Sequence, residues 1–311
     1  MTDRKKIFLL GGTGFIGTVL TRQLQANRQA NDLMMLIHRR ARFQDLEQIN
    51  TQTGSLGAFD LSLLDQFAPD TIIHLARMSG QGTIGRYLAA LGGAKANNRI
   101  INHLRRTPVK PHTIYVSGTL VYGDCGDGPV DEDRPLQPTA FAREYLKAEK
   151  PWMDALRSGE IPVTIVRPPW IIGRDSWFAG FYLNSIKHHR KVPVFGNGQN
   201  LMSLLDVEDC AGLIAHAARN ALPGRYYNLF TPRAHITQLE FAERLAKYTR
   251  SGIKKLSVTE VKSRYGKAVL EAFTFSNVAS TKHPEFMAGY NFRHSSIDEM
   301  IRNNLPAELC G

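Results

Sequence analysis

The chain has 311 residues, of which 43% are hydrophobic and 22% charged, and its formal net charge is +11. These proportions are ordinary for globular proteins and exclude a disordered or fibrous chain. The length suits one large α/β domain or a domain with a smaller partner. Positive residues collect at 38–42, 104–106 and 187–191. Because no RNA-binding motif accompanies them, they favour solvated surface plus one phosphate pocket over nucleic-acid contact.

Three cysteines, Cys125, Cys210 and Cys310, lie far apart. An odd number without a CxxC pair disfavours a disulfide framework and a structural zinc site, so we expect a cytoplasmic protein without a bound metal. No stretch approaches the roughly 20 apolar residues of a membrane-spanning helix, so no membrane partner is expected.

The first predicted unit is strand, turn and helix in "KKIFLLGGTGFIGTVLTRQLQ". A short apolar strand, Ile7 to Leu10, precedes glycines at positions 11, 14 and 17, and an amphipathic helix follows. Glycine allows the tight turn and the close approach of the backbone to a pyrophosphate, which the helix N-terminus then faces. The pattern therefore predicts a dinucleotide site.

The second predicted strand, in "DLMMLIHRR", ends at His38, Arg39 and Arg40. An NAD-binding fold places an acidic residue here for the ribose hydroxyls, whereas arginine suits the 2′-phosphate of NADP. We therefore predict that NADP(H) is preferred over NAD(H). The alternative is that these arginines only form a solvated loop.

Strands and helices continue to alternate along the chain. The next predicted strands are "TIIHLA" (71–76), "TIYVSG" (113–118) and "VTIVRP" (163–168), and a helix is predicted at 139–152. This alternation predicts an α/β fold, a Rossmann-type doubly wound parallel sheet buried on both faces, with a smaller C-terminal substrate-binding region.

Several motifs together resemble the extended branch of the short-chain dehydrogenase/reductase superfamily, which contains epimerases, dehydratases and reductases. They are "GGTGFIG", "FDL" (59–61), "HLA" (74–76), "LVYG" (120–123), "VRPPWIIG" and "LLDVEDCAGLIAHAA". The resemblance implies an NADP-binding Rossmann domain at 1–168 and 204–231 and a substrate-binding region at 169–203 and 232–311. With the glycine turn, it implies cofactor contacts from Gly11, Thr13, Gly14, Phe15, Ile16, Gly17, Asp60, Leu61, Leu75, Ala76, Arg77, Tyr145 and Pro168.

We expect the three residues of this family's catalytic triad to be lost from this chain. The family uses a Tyr-x-x-x-Lys helix, with a Ser or Thr before the "VYG" loop. Aligned on Glu149, the tyrosine position holds Phe141, the lysine position holds Tyr145, and the Ser/Thr position holds Gly118. In the other register Tyr145 is the acid, but no lysine lies on its helical face. Tyr145 is therefore expected to pack near the cofactor ribose, and Pro151 to kink or end this helix.

Replacement catalytic groups are Tyr122, Thr119 and Tyr145, with Tyr122 first because it borders the substrate in relatives. A packing role for Tyr122 is at least as plausible. Trp170, Trp177 and Phe178 lie where relatives form the substrate lip, and could stack on an apolar or aromatic substrate or simply form core. Met202 stands where nucleotide-sugar relatives hold a pyrophosphate-binding arginine, which disfavours a nucleotide sugar.

The sequence thus predicts an NADP(H)-binding oxidoreductase or epimerase/dehydratase-like enzyme with a non-standard acid, acting on a small organic molecule. Two alternatives stay open: a non-catalytic NADP(H)-binding sensor or structural subunit, and a protein that binds RNA on the same fold. Relatives often dimerise through two helices, so a homodimer is a further expectation.

Overall fold

The computed structural model describes residues 4–38 and 49–310. The strands, in chain order, are β1 (Lys5–Leu10), β2 (Asn31–Ile37), β3 (Asn50–Thr53), β4 (Thr71–His74), β5 (His112–Val116), β6 (Pro129–Val130), β7 (Val163–Arg167), β8 (Trp170–Ile172), β9 (Lys191–Phe195), β10 (Leu201–Asp206), β11 (Arg225–Asn228), β12 (His235–Thr237), β13 (Gly252–Leu256) and β14 (Val278–Ala279).

The α-helices are α1 (Phe15–Ala26), α2 (Ser62–Phe67), α3 (Gly82–Leu104), α4 (Ala140–Ser158), α5 (Asn184–His189), α6 (Val207–Asn220), α7 (Gln238–Thr249), α8 (Val258–Thr274), α9 (Pro284–Ala288) and α10 (Ile297–Asn304). Short 3-10 helices span Thr119–Tyr122 and Ala307–Leu309, and Phe178–Leu183 is a π-helix.

The chain divides into two compact units. The first takes its described residues from Met1–Ser117, Glu144–Arg167 and Ala211–Tyr227, and the second from Gly118–Arg143, Pro168–Cys210 and Asn228–Gly311. The boundaries predicted from the sequence divide the chain by function and stay a prediction. The compact units differ from them chiefly at 118–143, which groups with the second unit.

A seven-stranded sheet forms the centre of the first unit, in the order β11-β7-β5-β4-β1-β2-β3. β1 pairs in parallel with β2 on one side and with β4 on the other, so that Leu10 lies beside both Leu36 and His74. Because the chain leaves β3 at one edge and returns to β4 on the far side of β1, the strand order reverses at β1 and β4. A reversal of this kind places ligands outside the carboxyl ends of the strands. The predicted Rossmann-type fold is confirmed.

Burial of the sheet follows the position of each strand. β4 and β7 are buried along their whole length, as predicted for central strands covered on both faces. β3 is partly exposed, contrary to the expectation of a sheet buried throughout. It lies at the edge of the sheet, where its polar sequence NTQT meets solvent.

Helix α4 continues through Pro151 and ends at Ser158, so Pro151 does not end it. Trp152, which follows the proline, is fully buried and stacks on Tyr115 of β5, with the ring centroids 5.9 Å apart. A proline inside a helix removes one backbone hydrogen bond. Packing of the residues on either side of it against the sheet holds the helix together across that gap.

The second unit contains a three-stranded sheet, β12-β10-β8, and the parallel pairs β13–β9 and β14–β6. Its core is rich in aromatic side chains, among them Trp170, Phe178, Tyr182, Phe195, Phe241 and Phe273. α8 packs on this core and is interrupted at Gly266, where φ is 84°. Of the helices that the structure describes, none combines the length and apolar character needed to cross a membrane.

Candidate cofactor site

The glycine turn between β1 and α1 is so tightly packed that no side chain fits within it. Gly11 has φ of 87°, and a Cβ there would lie 2.6 Å from the backbone nitrogen of Ala76. A Cβ at Gly17 would lie 2.1 Å from the carbonyl oxygen of Gly11. The turn is closed by a hydrogen bond of 3.1 Å from the Gly14 N–H to the Gly11 carbonyl. Only glycine permits these approaches, as the sequence pattern predicts.

The start of α1 is free of the groups that usually satisfy a helix N-terminus. Its N-cap, Gly14, has no side chain to cap the helix, and the first turn, which begins at Phe15 and Ile16, contains no acidic residue. Thr13 precedes this turn and is partly buried. Unsatisfied backbone N–H groups and the helix dipole attract anions, so the turn can hold a pyrophosphate.

The loop after β4 lies against the glycine turn. The Leu75 N–H donates to the Leu10 carbonyl at 2.8 Å, and Ala76 is the residue that a side chain at Gly11 would strike. The predicted cofactor residues of the glycine turn and of "HLA" are therefore brought together.

Asp60 and Leu61 follow the edge strand. The Ser62 N–H donates to the Asp60 carboxylate at 2.9 Å, which holds the pKa of Asp60 below its usual value. Leu61 lines an open groove of about 700 Å³ together with Arg99 of α3. The Arg99 guanidinium donates to the Phe59 carbonyl, which fixes the "FDL" loop to α3.

The structure describes one of the three residues after β2 that are predicted to select NADP(H). His38 directly follows β2 and is exposed. Arg39 and Arg40 lie outside the described residues.

Arg77 and Tyr145 are in contact. The Arg77 Cζ lies 4.3 Å from the centroid of the Tyr145 ring, and the Arg77 Nη2 donates to the Ser117 carbonyl at 2.9 Å. Helical periodicity predicts no lysine on the face of α4 that carries Tyr145, and in the structure Arg77 places a cation on its ring. The cation comes from the loop after β4, a tertiary contact that helical spacing within α4 cannot reveal.

The Tyr145 phenol is nevertheless a weak acid. Burial raises the pKa of Tyr145 above its ordinary value, and this effect outweighs the opposite effect of Arg77. A raised pKa makes the phenolate harder to form. This agrees with a packing role for Tyr145, while its contact with a cofactor stays a prediction.

A buried charged cluster lies beside this pair, and the sequence did not identify it. The Arg167 Nη2 donates to the Glu149 Oε1 at 2.9 Å, and the Ser117 hydroxyl donates to the Glu149 Oε2. The Arg167 guanidinium also packs over the ring of Tyr226, 4.6 Å from its centroid. The sequence contained one indication of this cluster, which is the arginine inside the apolar strand "VTIVRP". A buried cation needs a buried anion as its partner.

The residues around His74 connect β4, α3 and α4. The His74 Nε2 lies 2.9 Å from the Asn97 Oδ1, and the Asn97 Nδ2 donates to the Ala148 carbonyl at 2.7 Å. Desolvation lowers the pKa of His74 to about 4, so this imidazole is neutral near pH 7. The network fixes the side of α4 that carries Tyr145 and Glu149.

In the second unit, Tyr122 and Thr119 are buried. The Tyr122 hydroxyl donates to the Asn228 Oδ1 at 2.9 Å, and the side chain has no exposed surface. The Thr119 N–H donates to the carbonyl of Pro168 at 3.0 Å. Their catalytic roles, and the cofactor contact of Pro168, stay predictions.

The predicted substrate residues belong to the aromatic core of the second unit. Trp170 and Trp177 meet edge to face with centroids 4.7 Å apart, and Phe178 packs on Trp177 at 6.2 Å. Phe178 and Met202 are fully buried. Core packing accounts for these positions, and substrate contact stays a prediction.

Asp206, Glu208 and His294 form a second polar cluster in this unit. Asp206 accepts hydrogen bonds from the Glu208 N–H at 2.7 Å and from the Asn304 amide at 2.7 Å, and the His294 Nε2 lies 3.2 Å from the Glu208 carboxylate. Their potential ligand atoms lie within 4.8 Å of one another. Since protein donors already satisfy Asp206, we interpret the cluster as a clamp between the start of α6 and the segment around α10.

Comparison with known proteins agrees with this geometry. Residues 7–229 match the NAD dependent epimerase/dehydratase family. The epimerase family protein SDR39U1 of Bos taurus is 24% identical over 243 residues, which cover 77% of this chain and 79% of the bovine protein.

Two solved structures have the same fold. Human SDR39U1 (isoform 2) with NADPH has a TM-score of 0.76 at 18% identity, covering 96% of this chain and 98% of that one. dTDP-glucose 4,6-dehydratase of Bacillus anthracis in complex with NAD has a TM-score of 0.74 at 16% identity, covering 96% of both chains. The predicted place in the extended branch of short-chain dehydrogenases/reductases is confirmed, while loss of the triad stays a prediction. Since the family match covers most of its length, this chain belongs to the NAD dependent epimerase/dehydratase family.

Proposed function

We propose that this protein binds NADP(H) and acts as an oxidoreductase or epimerase/dehydratase-like enzyme on a small apolar or aromatic molecule. The observation that carries the proposal is the glycine turn. Side chains are excluded at Gly11 and Gly17, and the start of α1 is uncapped. A tight glycine turn followed directly by a helix N-terminus is the arrangement with which dinucleotide-binding folds hold a pyrophosphate.

The preference for NADP(H) rests on charge. His38, Arg39 and Arg40 follow β2 where an acidic residue would favour NAD, and guanidinium groups pair well with a phosphate. Among the relatives, human SDR39U1 is described with NADPH, whereas the dehydratase of Bacillus anthracis is described with NAD. The two arginines of the sequence support NADP(H) for this chain.

A bound nicotinamide would supply hydride transfer to or from a carbon atom of the substrate. The chain itself would bind and orient the cofactor. The glycine turn would hold the pyrophosphate, the residues after β2 the adenosine half, and the loop after β4 the nicotinamide half. Trp177, which is partly exposed, would offer an apolar surface to the substrate, with the buried Trp170 and Phe178 packed against it. Met202 cannot clamp a diphosphate, so a nucleotide sugar is disfavoured.

A second candidate is a non-catalytic NADP(H)-binding protein. Two observations favour it: the Tyr122 hydroxyl is buried and bonded to Asn228, and burial raises the pKa of Tyr145. The Tyr122 hydroxyl already donates its proton to Asn228 in a hydrogen bond, and the raised pKa makes Tyr145 a weak acid. Under this proposal the protein would respond to the bound cofactor without turning over a substrate.

Calorimetric titration with NADPH and, separately, with NADH tests cofactor binding. We expect NADPH to bind more tightly, and Arg39→Ala and Arg40→Ala to remove the difference between the two cofactors. Arg244→Ala, which changes an exposed arginine paired with Asp298, is the control and should leave both affinities unchanged. Binding of neither cofactor would refute the proposal.

Turnover separates the two candidates. Wild-type protein is mixed with NADPH and a panel of aromatic ketones and enones, and the loss of NADPH absorbance is followed. Cofactor oxidation well above the buffer rate with a defined product establishes the enzyme. Tight NADPH binding without oxidation across the panel favours the non-catalytic protein.

A further inference from the structure

We infer that Arg77 supplies the cation beside Tyr145, and that it positions the nicotinamide-ribose half of the bound cofactor. This inference rests on the proposed binding of NADP(H). Arg77 would act as a positioning residue, holding the ribose hydroxyls and attracting negative charge that develops on a substrate oxygen.

A positive charge lies beside Tyr145 of α4. The Arg77 guanidinium covers the Tyr145 ring, with its Cζ 4.3 Å from the ring centroid. Arg77 follows β4, so this charge comes from a different element than α4. In the alignment on Glu149 given by the sequence, Tyr145 stands at the position of the lysine in the family's Tyr-x-x-x-Lys helix.

The Arg77 guanidinium is held by two contacts within the protein. Its Nη2 donates to the Ser117 carbonyl at 2.9 Å, and its face packs on Tyr145. Tyr145 is itself fixed, because α4 is held by Glu149 to Ser117 and by Ala148 to Asn97. A guanidinium that is stacked and bonded at one edge has lost much of its rotational freedom before a ligand arrives.

Arg77 carries more N–H donors than the Ser117 carbonyl can accept. Arginine carries several N–H donors in a planar fork, and one carbonyl oxygen cannot use them all. Within the described residues, the Ser117 carbonyl is the protein acceptor that Arg77 contacts. The residue is exposed overall, so its other donors are accessible to a ligand with acceptor oxygens. Vicinal ribose hydroxyls and a carbonyl oxygen are such acceptors.

The strand order indicates which half of the cofactor lies beside Arg77. A dinucleotide crosses the sheet where the strand order reverses, with the pyrophosphate at the glycine turn. β2, whose end would contact the adenosine ribose, lies on one side of β1, and β4 and β5 lie on the other side. Arg77 follows β4, and its guanidinium contacts Ser117, which follows β5. It therefore lies on the nicotinamide side.

The charge of Arg77 limits its role. A guanidinium stays protonated throughout the physiological range, so it cannot be the proton donor. It can orient oxygen atoms and stabilise an oxyanion, which would leave protonation to water or to another group.

Binding of NADPH and of 2′,5′-ADP, which lacks the nicotinamide half, tests the inference without any turnover. We expect Arg77→Met to weaken NADPH about tenfold, as for one lost charged hydrogen bond, and to leave 2′,5′-ADP unchanged. Arg77→Lys should recover part of the loss, because charge is restored without the planar fork. Arg28→Met, in the turn that follows the C-terminal end of α1, is the control for removing one charge and should change neither affinity.

The outcomes separate the inference from the proposed function. If wild-type protein binds NADPH and Arg77→Met binds it equally well, the role of Arg77 is refuted and the proposed function stands. Equal weakening of both ligands, or a large fall in the melting temperature, would show that Arg77 only supports the fold and would also refute it. If wild-type protein binds neither ligand, both ideas fail together.

Discussion

The Nη2 of Arg167 lies 2.9 Å from the Oε1 of Glu149, and neither side chain has more than 2% of its surface exposed. Removing one member of such a pair leaves a buried charge without a partner. We therefore expect Glu149→Ala to lower the free energy of unfolding by about 3–5 kcal/mol. Urea unfolding followed by circular dichroism measures this.

The matched control is Asp154→Ala, which removes an exposed carboxylate from the same helix. Asp154 pairs with Lys150 at 2.8 Å, but 47% of its side chain is exposed. Surface pairs contribute about 0–1 kcal/mol, so little should change. Similar losses in the two variants would mean that the buried pair has no special weight.

The second prediction concerns Gly17. A methyl group there would meet the Gly11 carbonyl oxygen at 2.1 Å, so Gly17→Ala must displace the glycine turn. We expect loss of NADPH binding and a fall of about 1–3 kcal/mol in the free energy of unfolding. Gly128→Ala serves as the control because a Cβ added there would have, apart from the adjacent residues, no atom of the described chain within 4 Å. Normal NADPH binding by Gly17→Ala would contradict the proposed cofactor site.

The third prediction concerns Tyr122. Asn228 uses its amide N–H groups on the Val130 and Ser280 carbonyls, and its oxygen accepts from the Tyr122 hydroxyl. We expect Tyr122→Phe to cost about 1–3 kcal/mol of stability, because a buried acceptor loses its donor, and to leave NADPH affinity unchanged.

Tyr87→Phe, at an exposed tyrosine of α3, is the control for removing a hydroxyl. If Tyr122→Phe were as stable as wild type but lost a demonstrated turnover, Tyr122 would be the acid after all.

The fourth prediction concerns acid stability. Burial lowers the pKa of His74 to about 4 from an ordinary value of 6.5, so the folded protein holds this imidazole neutral. As the pH falls below about 6.5, His74 becomes protonated in the unfolded chain but stays neutral in the folded protein. The free energy of unfolding therefore falls until about pH 4, where His74 is also protonated in the folded protein. The slope is at most about 1.4 kcal/mol per pH unit for one histidine.

His112 adds to this slope, because burial also lowers its pKa to about 4. We expect His74→Leu to flatten the dependence of unfolding free energy on pH between about pH 6.5 and pH 5, where few carboxylates titrate. His188→Leu, at an exposed histidine of α5, should leave the slope as in wild type. An unchanged slope in His74→Leu would show that His74 is not held neutral.

The fifth prediction concerns the homodimer expected from the family resemblance. α3 exposes Ile84, Tyr87, Leu88 and Leu91, which share one helical face, and Leu88 is 59% exposed. A second copy of the chain would cover this face. Analytical ultracentrifugation should show a dimer that Leu88→Arg converts to a monomer, whereas Val109→Arg, at another exposed apolar residue, should not. A monomeric wild-type protein would end this expectation.

The sequence by itself determined the fold and the cofactor turn of this protein. Both depend on local rules: alternation of apolar strands with amphipathic helices predicts the doubly wound sheet, and the glycine spacing predicts the tight turn, in which Gly11 and Gly17 leave no room for a side chain. The NADP(H) preference was also inferred locally, from the arginines that follow β2.

Tertiary structure alone decided the surroundings of α4. Helical spacing excluded a lysine beside Tyr145, but it could not bring Arg77 onto that ring, since Arg77 is distant in the chain and arrives from the end of β4. In the same way Glu149 meets Arg167 and Ser117 only because β5 and β7 are neighbours in the sheet. Periodicity reports which face of an element a side chain occupies, whereas the identity of its partner and the pKa it adopts depend on which elements the fold packs together.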